Sequence, residues 1–178
     1  MNREQLEHVL RAASQIAGDP DILVIGSQSI LGAIAEERLP LAATASMEVD
    51  VAFFDDPDDR KADQVDGAIG ELSTFHETFG YYAQGVSVST AVLPAGWRDR
   101  LVHVATSNTA PGRGHLLEPH DCVVSKLVAG REKDHAFADA LIRSRLVDPR
   151  MIAERIETVQ VPAAVGLRLR NWIAAYFG

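Results

Sequence analysis

The chain has 178 residues, 47% of them hydrophobic, which is enough for one domain with a buried core. Its net charge is −8; residues 1–118 carry 8 Lys/Arg against 18 Asp/Glu and residues 119–178 carry 9 against 7, a balance unsuited to general binding of duplex DNA through its phosphates. No stretch approaches the roughly 18–20 apolar residues of a membrane span, the start "MNREQLEHVLRAASQIAG" lacks the basic-then-apolar layout of a signal peptide, and the single Cys122 has no partner for a disulfide or a thiolate metal site, so a cytoplasmic protein is expected.

Leu6, Leu10, Ala13 and Ile16 recur at helical spacing and predict an amphipathic helix over 3–17, ended near Gly18 and Pro20. "DILVIG" predicts a short strand stopped by Gly26, with Ser27 capping a following helix, "QSILGAIAEERL", that ends before Pro40. After the aperiodic "LPLAATAS", the alternation in "MEVDVAFF" predicts a second strand, and the acidic turn "DDPDDR" caps a helix over roughly 60–72. "GYYAQGVSVSTAVLPAGWRDRLVHVATSN" reads as two or three short strands, with Val86, Val88 and Val92, then Leu101, Val102 and Val104, as apolar positions, and "PGRG" reads as a further turn. From "LEPHDCVVSKLVAG" onward the pattern is helical, with Pro119 in a first turn and Pro149 and Pro162 starting later helices. The expected organisation is an α/β core over 1–118 and a helical part over 119–178, packed as one unit.

Two short features carry chemistry. In a strand, Glu48 and Asp50 point the same way, and a pair of carboxylates so placed suits one magnesium or manganese ion, although alternating acids also suit the polar face of an ordinary strand. Gly26-Ser27 at a strand-to-helix junction offers backbone N–H groups, a hydroxyl and the positive end of a helix dipole to a phosphate, and equally describes a plain N-cap. Together they are what nucleotidyl transfer needs: a phosphate cradle followed by a metal-holding pair on the next strand.

Gly26-Ser27 followed by Glu48-x-Asp50 resembles the Gly-Ser and Asp-x-Asp signature of the DNA polymerase β-like nucleotidyltransferase superfamily. "GSQSILG", "SMEVD", "GYYAQGVS", "LPAGWRDRL" and "LEPHDCVVSKLVAGREKD" resemble, over residues 20–145, a bacterial nucleotidyltransferase-like family close to the AbiEii and MenT toxins. The resemblance implies an α+β nucleotidyltransferase fold, a small mixed sheet flanked by helices with a helical C-terminal part. It implies Gly26 and Ser27 on a nucleoside triphosphate, Glu48 and Asp50 on Mg2+ or Mn2+, and transfer of a nucleoside monophosphate to an RNA hydroxyl, with tRNA among the acceptors, or to a protein hydroxyl. It also implies a type IV toxin with a cognate antitoxin. An excess of 14 Arg over 3 Lys, with abundant alanine, points to a GC-rich bacterial genome. The chain departs from the superfamily pattern in carrying Glu48 where Asp is usual, and in offering only Ser87, Ser89 and Thr90 in "GVSVSTAVL", where a third carboxylate is common. An inactive nucleotidyltransferase-fold protein, binding nucleotide or a protein partner, is the alternative reading.

Lys126 and Lys133 are seven apart, two turns of one continuous helix, with Asp134 adjacent and Gly130 weakening the helix between them. The resemblance turns Lys126, Arg131 and Lys133 toward the nucleotide's phosphates, with Asp134 orienting one of them or acting as base; without it, they read as a solvated face with i,i+3 ion pairs. Glu48, Asp50, Lys126 and Asp134 are the expected catalytic set. His76, His103, His115, His120 and His135 lack metal-ligand spacing, the "HDC" run at 120–122 is no protease signature, and Trp97, Trp172, Tyr81 and Tyr82 read as core or interface. Glu48 and Asp50 are expected to share a cleft with Ser27 and at least one of Lys126 and Lys133.

Overall fold

In a computed structural model, which describes residues 1–177, the first helix, α1 (Arg3–Ala17), matches its periodicity. Asn2 caps it by accepting from the Gln5 N–H, and Gly18 ends it in the left-handed conformation at φ 64°. β1 (Asp21–Val24) and β2 (Glu48–Ala52) follow, separated by short turns and the single-turn α2 (Leu41–Thr44). The helix expected after Ser27 is instead a 3-10 turn, Ser27–Gly32, in which Gln28, Ser29, Ile30 and Leu31 are all buried. Ile30 packs into one core and Leu31 into the other, so the segment has no solvent face and tightens rather than forming an amphipathic α-helix.

Helix α3 (Arg60–Ile69) is capped from the acidic turn, by Asp56, whose carboxylate accepts from the Lys61 and Ala62 N–H groups. A short α4 (Thr74–Phe79), capped by Ser73, went unread in the sequence. Of the strands expected across 80–108, two form, β3 (Tyr82–Gly85) and β4 (Val102–Val104), while Val88–Thr90 is a 3-10 turn. "PGRG" is not wholly a turn, because Arg113 and Gly114 open β5 (Arg113–Leu116). Leu10 packs so close that a Cβ on Gly114 would lie 2.8 Å from its Cδ1, which is why glycine occupies a strand interior here.

The sheet runs β3-β2-β1-β5-β4. β1 is antiparallel to β2 and parallel to β5, β2 is parallel to β3, and β4 closes the far edge antiparallel to β5. One face, with Ile22, Val24, Val49, Val51 and Leu116, packs with Leu6, Leu10 and Val65 of α1 and α3. The other receives α5 (Pro119–Ala129), α6 (Glu132–Arg143), α7 (Pro149–Ile156) and α8 (Ala163–Ala174), so that Leu127, Leu141, Ile152 and Leu169 share one core with Leu23, Ile25 and Ala52. Each such side chain contributes about 1.5–3 kcal/mol on burial, against about 0–1 for a surface ion pair such as Arg143–Asp139, so apolar burial on both faces holds the sheet. Among the described residues no helix is long and apolar enough to cross a membrane.

A buried ionic network fixes the start of α5. Asp121, fully buried, accepts from Arg100 Nε at 2.9 Å and Nη2 at 3.0 Å and pairs with Arg155 Nη1 at 3.0 Å. Glu118 pairs with Arg155 and His120. Burial pushes the Glu118 carboxyl up, but the hydrogen bonds from His120 and Arg155 outweigh it and hold it at about 2, below its ordinary 4.5. That stabilisation is whole above pH 4.5 and is lost as pH falls toward 2. Arg155→Met, which takes one cation from each of two acids while leaving Asp121 its Arg100 and Glu118 its His120, is expected to cost about 2–4 kcal/mol in urea unfolding at pH 7. The deficit should narrow as Glu118 takes its proton in acid; a loss under about 1 kcal/mol at pH 7 would mean that the network behaves as a screened surface pair.

Candidate functional site

The period of two along β2 decides where its acids go. Val49 and Val51 enter the core shared with α1 and α3, so Glu48, Asp50 and Ala52 face the C-terminal helices. Ala52 is fully buried there, whereas Asp50 and Glu48 are half-buried and open onto a cleft of about 560 Å3. The same cleft is lined by Gly26 and Ser27 at the end of β1, by Ala42, Ala43 and Ser46 around α2, and by Lys126, Arg131, Lys133 and Asp134 on the opposite wall. All eight residues singled out in the sequence therefore meet in one place, with Ser27 and both lysines beside the carboxylates as expected.

Their local settings differ from expectation. Lys126 and Lys133 do not share one continuous helix: Gly130, left-handed at φ 69°, ends α5, and Arg131 begins α6. Arg168 of α8 packs against Gly130, where a Cβ would sit 2.9 Å from its Nη2, and donates to the Val128 carbonyl at 2.9 Å. Ser27 is not the cap of its turn, since Gly26 occupies that position, and a six-residue 3-10 turn lacks the dipole expected of a full helix. Gly26 is fixed by Asp50 itself, because a Cβ there would fall 1.7 Å from Asp50 Oδ2. Main-chain bonds lock the junction: Ile25 donates to the Asp50 carbonyl at 3.1 Å, and the Gly26 carbonyl accepts from the Ser29 N–H at 3.1 Å and from Cys122 Sγ at 3.5 Å.

Burial raises the Asp50 carboxyl to about 6, Lys126 and Arg131 pull it down, and the charge of the adjoining Glu48 carboxylate pushes it up. Asp134, nearly fully buried, takes three bonds from Arg131, from Nε at 2.7 Å and from Nη2 and the backbone N–H at 3.2 Å. Burial pushes its carboxyl up, but these bonds prevail and hold it below the usual range, so Asp134 orients Arg131 across the cleft. Neither Lys126 nor Lys133 is ion-paired with a carboxylate among the described residues. Cys122 is core, its thiol pushed up to about 11 by burial, and His120 is tied to Glu118 at 2.6 Å, so the "HDC" run holds no nucleophile–base pair.

Two residues escaped sequence reasoning. Parallel pairing sets Tyr82 beside Glu48 and Gln84 beside Asp50. The neighbour of Asp50 is thus an amide from "YAQG", not the serine run, which lies beyond the strand in a 3-10 turn where only Thr90 reaches the cleft. Tyr82, read as core or interface, donates its hydroxyl to Glu48 Oε2 at 3.0 Å, and burial and that bond push its phenol up to about 12. Tyr81 is the core tyrosine of the pair. Register, absent from local sequence, is the signal that separates them.

A mixed sheet in which a strand running into Gly-Ser lies antiparallel to one bearing two acids on one face, with a cationic helical wall opposite, defines a nucleotidyltransferase-like fold. A family model described as a nucleotidyltransferase of unknown function (DUF6036) matches residues 4–168, and the chain belongs to that family. The description names neither the AbiEii nor the MenT toxins. No curated protein and no solved structure gives a significant match.

An acid whose folded-state pKa stands above its unfolded value supports the fold only while protonated. For Asp50 that support is whole below about pH 4 and is lost as pH rises through about 6. Asp50→Asn is therefore expected to stabilise the metal-free protein at pH 8 by up to about 3 kcal/mol and to give no gain at pH 4. Urea unfolding in chelator across this range checks it; a variant less stable at pH 8 than the parent would contradict the burial argument.

Proposed function

We propose that the protein is a divalent-metal-dependent nucleotidyltransferase that moves a nucleoside monophosphate from a triphosphate to a hydroxyl of RNA or protein. One observation carries the reading: Glu48 and Asp50 share one face of β2 and a cleft with Gly26-Ser27 and with Lys126 and Lys133, neither of which is ion-paired with a carboxylate among the described residues.

The donor set fits a magnesium-type ion. Two like charges pressed together at the margin of a core, with one proton affinity raised, form a site that a cation relieves. Among the described residues no group of three or more His, Cys, Asp or Glu converges, and a magnesium-type ion, which accepts water and phosphate oxygens as ligands, would suit a site with only two protein carboxylates. Glu48 and Asp50 would hold the ion, which would supply positive charge to the phosphates during transfer. Lys126, Lys133 and the Asp134-oriented Arg131 take the remaining phosphate charge, and the Ser27 hydroxyl and neighbouring N–H groups cradle the leaving end. The acceptor oxygen bonds to the α-phosphorus as the bridging P–O bond breaks, and pyrophosphate departs. The hydroxyl's proton passes to water, because the strand neighbour of Asp50 is the Gln84 amide, which cannot take it.

The resemblance to the AbiEii and MenT toxins supports tRNA as acceptor and a toxin restrained by a cognate antitoxin. The Gln84 amide supports a second reading, a non-catalytic module that binds nucleotide or a protein partner.

Incubation with labelled triphosphates, Mg2+ or Mn2+, and total RNA or protein extract is expected to give label transfer that falls about a hundredfold or more in Asp50→Ala. Equal transfer by that variant would overturn the catalytic reading. Calorimetric nucleotide binding without transfer to any acceptor would establish the second.

A further inference from the structure

Glu48 is one methylene longer than the aspartate of the signature it resembles, and a glutamate in the first position of a strand is free about an extra torsion. Holding it to one geometry needs a partner, and the structure supplies one. β2 and β3 run parallel with Glu48 opposite Tyr82, and the Tyr82 hydroxyl donates to Glu48 Oε2 at 3.0 Å. That bond engages one carboxylate oxygen from the side of β3. The Asp50 carboxylate adjoins the other flank of Glu48, against Gly26.

The phenol is itself held. The His76 ring packs against the Tyr82 ring at a tilt of 45° with centroids 4.6 Å apart, its Nδ1 accepts from the Leu72 N–H at 3.1 Å, and Ser73 Oγ caps α4 by accepting from the His76 N–H at 3.1 Å. Leu72 adopts φ 63° and is 82% exposed, an unfavourable setting for a large apolar residue that persists because the α3–α4 turn is built around this contact. Neither α4 nor the strained turn lines the cleft, and both converge on Tyr82.

We propose that Tyr82 is a positioning residue for the metal: its hydroxyl, buttressed by His76, sets Glu48 so that a glutamate does the work of the shorter acid. The inference rests on the metal reading of the Glu48–Asp50 pair. Outer partners of this kind, a donor fixing the ligand's far oxygen, commonly govern metal affinity by about 10–100-fold.

The test is titration of the protein with Mn2+, read by loss of the free-ion resonance signal, with melting in chelator as the check on folding. Tyr82→Phe is expected to weaken Mn2+ about 10–100-fold with little change in melting. His76→Leu, which keeps the hydroxyl but removes its support, should weaken binding by a smaller factor. In a Glu48→Ala background, which leaves the hydroxyl no acceptor at this position, Tyr82→Phe should change affinity by no more than about twofold. Tyr82→Phe within about twofold of the parent, or an equal loss in both backgrounds, overturns the proposal while leaving the metal site standing. A parent protein that takes up no Mn2+ removes the metal reading itself and this inference with it.

Discussion

The crowding of two carboxylates on one face of an inner strand is the constraint around which the rest is arranged. β2 is sandwiched, so its alternate residues must go either into the core beneath α1 and α3 or toward the C-terminal helices, and Glu48 and Asp50 fall on the second side. Desolvated like charges are costly there unless cations stand nearby. The surroundings answer that cost: Lys126 and Arg131 act on Asp50 across the cleft, a hydroxyl engages Glu48, and the backbone beside Asp50 is reduced to glycine. A surface strand would not have needed these provisions.

The two walls are made stable in different ways. The acid wall is a sheet, with its register pinned by main-chain pairing on both sides of β2. The cationic wall is a broken pair of helices, whose first member is anchored at one end by buried Asp121 and half-buried Glu118 with Arg100 and Arg155, and at the other by Arg168 on the carbonyls beside Gly130. Guanidinium groups suit both ends because their several N–H donors satisfy carboxylates and orphan helix carbonyls alike.

Elements whose pattern is local were legible in the sequence. α1 announced itself through Leu6, Leu10 and Ala13, β2 through strict alternation, and α5 and α7 through Pro119 and Pro149 in their first turns. β5 was not, because "RGHL" has one aliphatic residue and owes its place to parallel pairing with β1, more than ninety residues away. The turn after Gly26 was misread since its apolar residues serve two cores at once, which no single helical stripe describes. For the site, the acids, the cations and the Gly26-Ser27 pair were visible, but Tyr82 and Gln84 acquire meaning only from which residues they sit beside. Gly130 was visible as a weak point in a helix; that it turns the chain so Lys126 and Lys133 stand on separate helices was not.

Arg168 has a reach that outlasts its own neighbourhood. α8 contributes no residue to the lining of the cleft, yet it grips the last turn of the helix bearing Lys126. The gap between acid and cation is thereby gauged from behind, by a part that lies outside the cleft. Width and lining are separate settings of this fold: repacking α8 would shift the helix that bears Lys126 while every side chain that lines the cleft stays the same.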